Sequence, residues 1–473
     1  MRKKFTILFI VALFPMIFAG IQSNEFLILA WNDLGMHCAN KDFSNLAILP
    51  PYNNQKSQVV KKGDAANLPQ LITSNVSITY EIPGNTYSVG KTNFWTFAQQ
   101  LFGITLAPNV GLTGAGLTGN MALDAGNNVY HVDGIPITPY QDNNLVTENP
   151  YQLTLIKLYD GSNNLLASTQ SVIPVSNEIN CLSSGCHSSE TSIINEHEDA
   201  NLTPPVLCAN CHADNALGLP GQPDVPSFSF VMHDKHKNKT NDCYKCHPGP
   251  NTQCFRDTMH TTGMTCQNCH GNVANVAQTI ENGRQPWLQE PSCGEASCHG
   301  DNYAPETGKL YRQSHGHAGL YCSACHGSPH AVQPTTQPND NVQNIALQGF
   351  RGTLRKCSVC HGVTPTSPGP HGLMPSAIET ISSDFPSQNE LLPNFPNPVN
   401  ESTTIPFRIA NSGKVFVDIF SSTGRYIMTV VNQHFAPGEY VVIINVQSLL
   451  PGIYFYRLKV KNSIDTKKFL VIK

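Results

Sequence analysis

Cys266-Gln267-Asn268-Cys269-His270 is the third of five copies of one pattern, two cysteines three positions apart followed at once by a histidine. The other copies are Cys208/Cys211/His212, Cys243/Cys246/His247, Cys322/Cys325/His326 and Cys357/Cys360/His361. Residues i and i+3 share one face of a helical turn, so both thiols reach the same object. The next residue sets an imidazole beside them. Two thiols for the vinyl groups on one haem edge, with an imidazole under the iron, is the chemistry of c-type haem attachment. Chance supplies on the order of 0.1 such pattern even at this local density of Cys and His, so five copies decide the reading.

Two further stretches end the same way after a longer spacer, Cys181-Leu182-Ser183-Ser184-Gly185-Cys186-His187 and Cys293-Gly294-Glu295-Ala296-Ser297-Cys298-His299. Positions i and i+5 do not share a helix face, so these loops must bulge, and Gly185 and Gly294 ease that. Both fall in register with the rest, the motif histidines recurring at gaps of 25, 35, 23, 29, 27 and 35 residues. Numbered along the chain, sites 1 to 7 end in His187, His212, His247, His270, His299, His326 and His361. The expectation is seven covalently attached haem c groups. Zinc ribbons also use paired cysteines, but zinc does not require a histidine directly after every second one. A disulfide framework is disfavoured because 14 of the 16 cysteines fall in the motifs.

The second axial position decides what a haem does: a second His closes the iron and leaves one-electron transfer, whereas an open position admits substrate. Eight histidines between Cys181 and His371 lie outside the motifs, and seven haems need seven. The expected distal ligands are His197, His233, His236, His260, His317, His330 and His371, with His315 as the bystander. The supply just covers full bis-His ligation and favours an electron carrier over an enzyme. Residues 177–375 allow roughly 28 residues per haem, too few to wrap each macrocycle separately, so neighbouring haems are expected to touch and form the core.

The flanks have a different texture. Met1-Arg2-Lys3-Lys4, the apolar run from Phe5 to Phe18 and Ala19-Gly20 read as a secretory signal peptide over residues 1–20. Residues 25–176 are Asn-rich, with period-two alternation at Asn75–Ile82 and Tyr151–Leu158, a turn at Asp160-Gly161 and a returning strand over Leu165–Val175. A β-sandwich-like domain of unknown role is expected there, with one short helix over Phe94–Phe102. Residues 376–392 read as a linker, and residues 393–473 as a second, smaller β-sandwich. The fold class is therefore multi-domain: mostly β at both ends, with a haem-packed middle of short helices and little regular structure.

A net charge of −4 with 29 Lys and Arg argues against a nucleic-acid partner. Cys38 and Cys254 lie outside the motifs. They read as a mutual disulfide, as free thiols, or with Asp33, His37 and His131 as a separate metal site at Cys38.

Residues 181–371 resemble multihaem c-type cytochromes of extracellular electron transfer, on Cys243-Tyr244-Lys245-Cys246-His247-Pro248-Gly249 and on Tyr311–Ala331, which ends His326-Gly327-Ser328-Pro329-His330-Ala331. Ala30-Trp31-Asn32-Asp33-Leu34-Gly35-Met36-His37-Cys38 resembles the opening of a domain found ahead of such regions. Residues from about 391 onward resemble the sorting domain of the type IX secretion system. The matching stretches are Asn394-Phe395-Pro396-Asn397-Pro398-Val399, Val417–Arg425, Leu450–Leu458 and the closing Lys468-Phe469-Leu470-Val471-Ile472-Lys473. Val446 and Gln447 depart from the usual acidic or aromatic residues there. The resemblance implies translocation across the outer membrane followed by removal of this module, and a secreted or surface-attached protein. It also implies partners among cytochrome-maturation and type IX machinery, other cytochromes and extracellular electron donors or acceptors. Assembly with further copies, as an oligomer or filament, is left open, and the runner-up activity is an oxidoreductase acting on a small nitrogen or sulfur oxyanion at a five-coordinate haem.

Overall fold

The computed structural model describes residues 25–372 and 388–472, apart from 180, 183–184, 198–200, 250, 296–297, 301–302, 304–305, 307, 393, 395–396, 400–401, 411–412, 436–437 and 462. The expected signal peptide at 1–20 and residues 376–387 of the expected linker lie outside the described residues.

Alternating apolar residues in the first region build two five-stranded sheets. In one, Phe26–Trp31 pairs with Gln55–Lys61, which pairs on with Val129–Val132 and Ala122–Asp124, while Gln70–Leu71 joins Gln55–Lys61 at the side. In the other, His37–Cys38, Leu165–Ser176, Tyr151–Asp160, Val76–Glu81 and Thr118–Asn120 lie side by side. The long hairpin turns where the Asp160 carboxylate accepts the backbone N–H of Ser162 at 2.9 Å and of Asn164 at 2.8 Å. Ile28 and Val59 from the first sheet meet Ile78, Ile156, Leu158 and Ile173 from the second in one buried core. Each such side chain contributes about 1.5–3 kcal/mol by leaving water.

Helix α1 (Phe94–Phe102) buries Phe94, Ala98 and Leu101, the i, i+4, i+7 stripe of an amphipathic helix, and ends at Gly103 with φ 70°. The stripe packs on Phe43 and on Leu207 and Ala209 of the middle region. Val206–Leu207 also pairs in parallel with Leu46–Ala47, so site 2 is tied to the sandwich.

The middle region consists of short helices: α2 (Glu190–Ile194), α3 (Phe228–His236), α4 (Thr258–Thr261), α5 (Cys266–His270), α6 (Val273–Glu281), α7 (Cys322–His326) and α8 (Val342–Gln348). Helices α3, α4 and α5 bury no residue, and α6 buries only Ala277. An apolar cluster of Leu27, Leu29 and Trp31 with Tyr321, Ala324 and Val359 joins this region to the sandwich, and polar clamps reinforce it. Gln58 donates to the Gly319 carbonyl at 3.1 Å and accepts the Tyr321 N–H at 3.0 Å, and Trp31 packs on Tyr321 with ring centres 5.2 Å apart. Gln343 of α8 accepts the Ala30 N–H at 2.7 Å. Glu178 gathers the loop after site 3, accepting the N–H groups of Gly249, Asn251 and Thr252 at 3.0, 3.1 and 3.0 Å.

The C-terminal region is a second sandwich. Glu390–Leu391, Ser402–Ile409 and Gly438–Asn445 form one sheet, and Tyr426–Phe435, Gly413–Ser421, Gly452–Val460 and Ser463–Val471 the other. Val415, Val417 and Ile419 alternate inward along one strand and meet Leu458, Val460, Phe469 and Val471 in a core of their own. The molecule is multi-domain and largely β, with few short helices. No helix among the described residues is long and apolar enough to cross a membrane.

Candidate functional site

Each motif closes on itself through one backbone hydrogen bond. The N–H of the motif histidine reaches the carbonyl of the first cysteine at 3.0 Å in site 2, 2.9 Å in site 3 and 2.8 Å in site 7. These sites start as single 3₁₀ turns, Cys208–Asn210, Cys243–Lys245 and Cys357–Val359, whereas sites 4 and 6 are the one-turn helices α5 and α7. Sites 1 and 5 make the same closure across their longer spacers, His187 to Cys181 at 3.2 Å and His299 to Cys293 at 3.3 Å. Gly185, at φ 77°, takes up part of the extra chain in site 1. The longer spacers therefore leave the ends of sites 1 and 5 nearly as close as those of the shorter motifs.

The helical turn between paired cysteines is a 3₁₀ turn at three sites, and Cys211 shows its form. Cys211 is not inside a helix but caps the 3₁₀ turn, at φ −110° and ψ −41°, and its N–H reaches the Cys208 carbonyl at 3.3 Å. Cys246 and Cys360 cap their turns in the same way, with N–H to carbonyl distances of 3.1 Å to Cys243 and 3.1 Å to Cys357. A 3₁₀ turn has three residues, so positions i and i+3 eclipse and the two thiols still share a side. The Cys211 carbonyl is then held from outside the motif, accepting the Gln222 N–H at 2.9 Å. Gly221, at φ 65°, permits that approach, since a Cβ there would stand 2.7 Å from the Cys211 carbonyl oxygen. Neither Cys208 nor Cys211 is bridged to another cysteine, which keeps both thiols of site 2 open to a haem edge.

Six motif histidines face a second histidine at nearly one spacing. The ring centres lie 6.1 Å apart for His187 and His236, for His197 and His212, for His270 and His330 and for His317 and His361. His233 and His247 stand 6.2 Å apart, and His326 and His371 6.0 Å. Rings at this distance are too far apart to hydrogen-bond and do not stack. A metal midway, with nitrogen bonds of about 2.0–2.1 Å as imidazole makes to zinc and roughly 1.1 Å from nitrogen to ring centre, spaces the centres at about 6.2–6.4 Å. The imidazoles fit a bis-histidine haem.

The second ring nitrogens support the same fit. Nδ1 lies 2.8 Å from the Pro226 carbonyl in His212, 2.7 Å from that of Ser229 in His233, 2.7 Å from that of Met232 in His236 and 3.2 Å from that of Ile194 in His197. A proton on Nδ1 donated to a carbonyl leaves Nε2 free as a ligand and fixes the ring's orientation. Burial pushes His247 and His330 down to about 4 and lowers His233, His270, His326 and His361, keeping the rings neutral as ligation requires. Two distal residues, His330 at φ 59° and His371 at φ 56°, hold the left-handed backbone that non-glycine residues rarely adopt, and so does Ala318 next to His317. Such strain costs on the order of 1–3 kcal/mol each and gathers at functional positions.

His260 has a different setting. It sits on α4 against Phe255, with ring centres 5.5 Å apart, and its Nδ1 is buried without a hydrogen-bond partner. Together with Cys243, Met264 and Cys266 it lines a cavity of about 510 Å³ between sites 3 and 4. Among the described residues no imidazole faces His299 at the common spacing; its ring neighbour is Tyr303, at 6.1 Å. His315 packs against Tyr321, with ring centres 4.1 Å apart and the planes tilted by 52°, and approaches Glu306 at 3.3 Å.

Three of the side chains considered for a metal site at Cys38 have other partners. His37 donates from Nε2 to the Pro50 carbonyl at 2.8 Å, Asp33 pairs with Lys56 at 2.9 Å and His131 with Asp133 at 2.8 Å, so each ligand is spent elsewhere. Among the described residues no group of three His, Cys, Asp or Glu side chains stands ready for a metal ion. Cys38 and Cys254 are both free thiols, and burial pushes them up to about 11 and 12.

Pattern reading missed the residues that brace the sites. Arg256 and Asp340 form a bidentate pair at 2.7 and 2.8 Å, almost fully buried, which ties the approach to site 4 to the turn before α8. Glu178 and Tyr303 were equally silent, since a lone carboxylate or phenol in a loop carries no spacing signal. The one legible hint was Ser227, whose hydroxyl caps α3 at the Phe230 N–H, 3.3 Å away, ahead of two histidines one turn apart.

No curated protein matches the chain. Among solved structures it aligns over 95% of its length with dimeric latent PorU from Porphyromonas gingivalis, at 10% identity and a TM-score of 0.16. It spans only 20% of that chain, and the score is too low to inform the fold. Residues 394–473 match the family described as a secretion system C-terminal sorting domain, over the sandwich built from the strands that start at Ser402. Such a sorting tail indicates secretion through the type IX machinery and a place at the outer membrane or cell surface.

Proposed function

We propose that the chain is a secreted seven-haem c-type cytochrome that relays electrons at or beyond the cell surface. The observation that carries this reading is the set of six histidine pairs spaced at 6.0–6.2 Å, each containing one motif histidine. Haem c bound there would supply one-electron exchange at iron. The chain's own part is to hold both imidazoles neutral, to fix their planes through carbonyls at Nδ1, and to leave no free axial position at those six sites. Its partners would be other cytochromes or extracellular donors and acceptors, since the sorting tail delivers the protein to where these meet the cell. The intact mass of the secreted protein tests the reading: the expected gain is seven haems, with low-spin ferric signals for six of them. A secreted chain carrying no haem would sink it.

A second reading is favoured by site 5, where His299 is exposed and Tyr303, not an imidazole, is its ring neighbour among the described residues. Here the chain would be an oxidoreductase acting on a small nitrogen or sulfur oxyanion at that one haem. Cyanide or nitrite would then perturb one haem of the seven, whereas a fully closed carrier leaves its spectrum unchanged.

A further inference from the structure

The sites do not follow one another in space as they do in sequence. Helix α3 presents His233 and His236 one turn apart, yet His233 faces the motif histidine of site 3 and His236 that of site 1. Residues i and i+3 share a helix face, so sites 1 and 3 are immediate neighbours across α3. Site 2 takes its distal ligand, His197, from the segment that leaves site 1, only ten residues after His187 and just past α2. Its motif histidine meets α3 at the opposite end, on Phe228, with ring centres 6.5 Å apart.

Beyond site 3 each site touches the next in the chain, and site 4 also takes its distal histidine, His330, from the segment that leaves site 6. Gln267 of site 4 donates to the Asn241 carbonyl, two residues before site 3, at 2.7 Å, and Cys243 and Cys266 both line the cavity between these sites. Glu290, three residues before site 5, approaches His270 of site 4 at 3.9 Å. Tyr303 touches His299 of site 5 and His371 of site 6. Leu354, three residues before site 7, donates its N–H to Cys325 of site 6 at 2.9 Å.

We infer that site 1 lies between sites 2 and 3, so that the row of haems ends at site 2, on His212 and His197, and not at the first motif of the chain. This rests on the electron-relay reading and adds the place of one terminus, where electrons enter or leave. A site in the middle of the row has two partners for exchange, and a terminal one has one.

Iron positions in the haem-loaded, full-length secreted protein test the order. The expected result is that the site 2 iron has the site 1 iron as its nearest neighbour, with sites 2 and 3 farther apart than either is from site 1. A site 2 iron nearer to site 3 overturns the order and leaves the relay reading standing; a chain without haem overturns both. Redox titration of two variants gives an independent readout. His236→Met, at site 1, should shift the reduction of two other haems, and His197→Met, at site 2, that of one. Two shifted neighbours for His197→Met would also overturn the order.

Discussion

The strand Tyr151–Asp160 and helix α3 are of similar length, ten and nine residues, but the strand buries Leu155, Ile156 and Leu158 while the helix buries nothing. The strand holds its place through apolar surface removed from water on a face that the opposite sheet covers. Helix α3 has a capping serine, two histidines aimed at histidines on other segments, and apolar side chains that are no more than half-buried. A helix of nine residues is marginal by itself in water, where isolated helices need about 12–15. The difference teaches that residues 25–176 carry their own core, whereas in the middle region α3, α4 and α5 bury no residue at all. Haem is the filling that we propose.

The most severe way to break this comparison is to withhold the filling. When all motif cysteines are replaced by alanine, limited proteolysis should cut throughout 177–372 and leave a resistant fragment from the first sandwich. Equal protection of both regions in the haem-free chain would show that the middle region has an adequate core of its own.

Next in size is the buried pair of Arg256 and Asp340, a strong electrostatic bond between segments of the middle region. Asp340→Ala leaves a guanidinium buried without its partner and should cost about 3–5 kcal/mol. The loss should appear in denaturant unfolding followed at the haem absorption band. A change below about 1 kcal/mol would mean that water reaches Arg256 and the brace is not structural.

Ile156→Ala probes the other side of the comparison. Ile156 is fully buried in the sandwich, so its truncation should cost about 2–5 kcal/mol through lost transfer energy and an unfilled cavity. The haem spectrum should stay unchanged, because the core that contains Ile156 holds no residue of the middle region. A spectral change at native conditions would show that the sandwich shapes the haem sites at a distance.

How far the sequence could be read follows from the same contrast. The strands at Tyr151–Asp160 and Leu165–Ser176 were legible because alternation and an Asp-Gly turn are local signals, and the helix at Phe94–Phe102 lay within one short stretch. The motif residues were legible for the same reason, since their spacing lies within seven residues. The spacing did not say which kind of turn would join them, because α and 3₁₀ turns both bring i and i+3 together; Cys211 ends a 3₁₀ turn where Cys269 lies inside a helix. Which distal histidine faces which motif was not legible either. His233 and His236 are three residues apart and serve sites whose motif histidines are sixty residues apart, His247 and His187, a pairing that only the tertiary arrangement decides. A count of histidines could say that seven ligands were on hand, but not that His260 would turn toward Phe255.

The smallest expected effect concerns Ser227, and it sharpens the comparison most finely. Its hydroxyl accepts the Phe230 N–H at the start of α3, and a lost serine cap costs about 0.5–2 kcal/mol in a helix. In a helix with an apolar stripe, packing would mask such a loss. Helix α3 has no buried residue to mask it, and its distal end carries both His233 and His236. Ser227→Ala should therefore loosen two imidazoles together and broaden the low-spin signals of sites 1 and 3, leaving those of sites 6 and 7 sharp. The global unfolding free energy should fall by no more than the cap itself. Broadening at one site alone would mean that each histidine is held by its own iron, and that the helix merely follows.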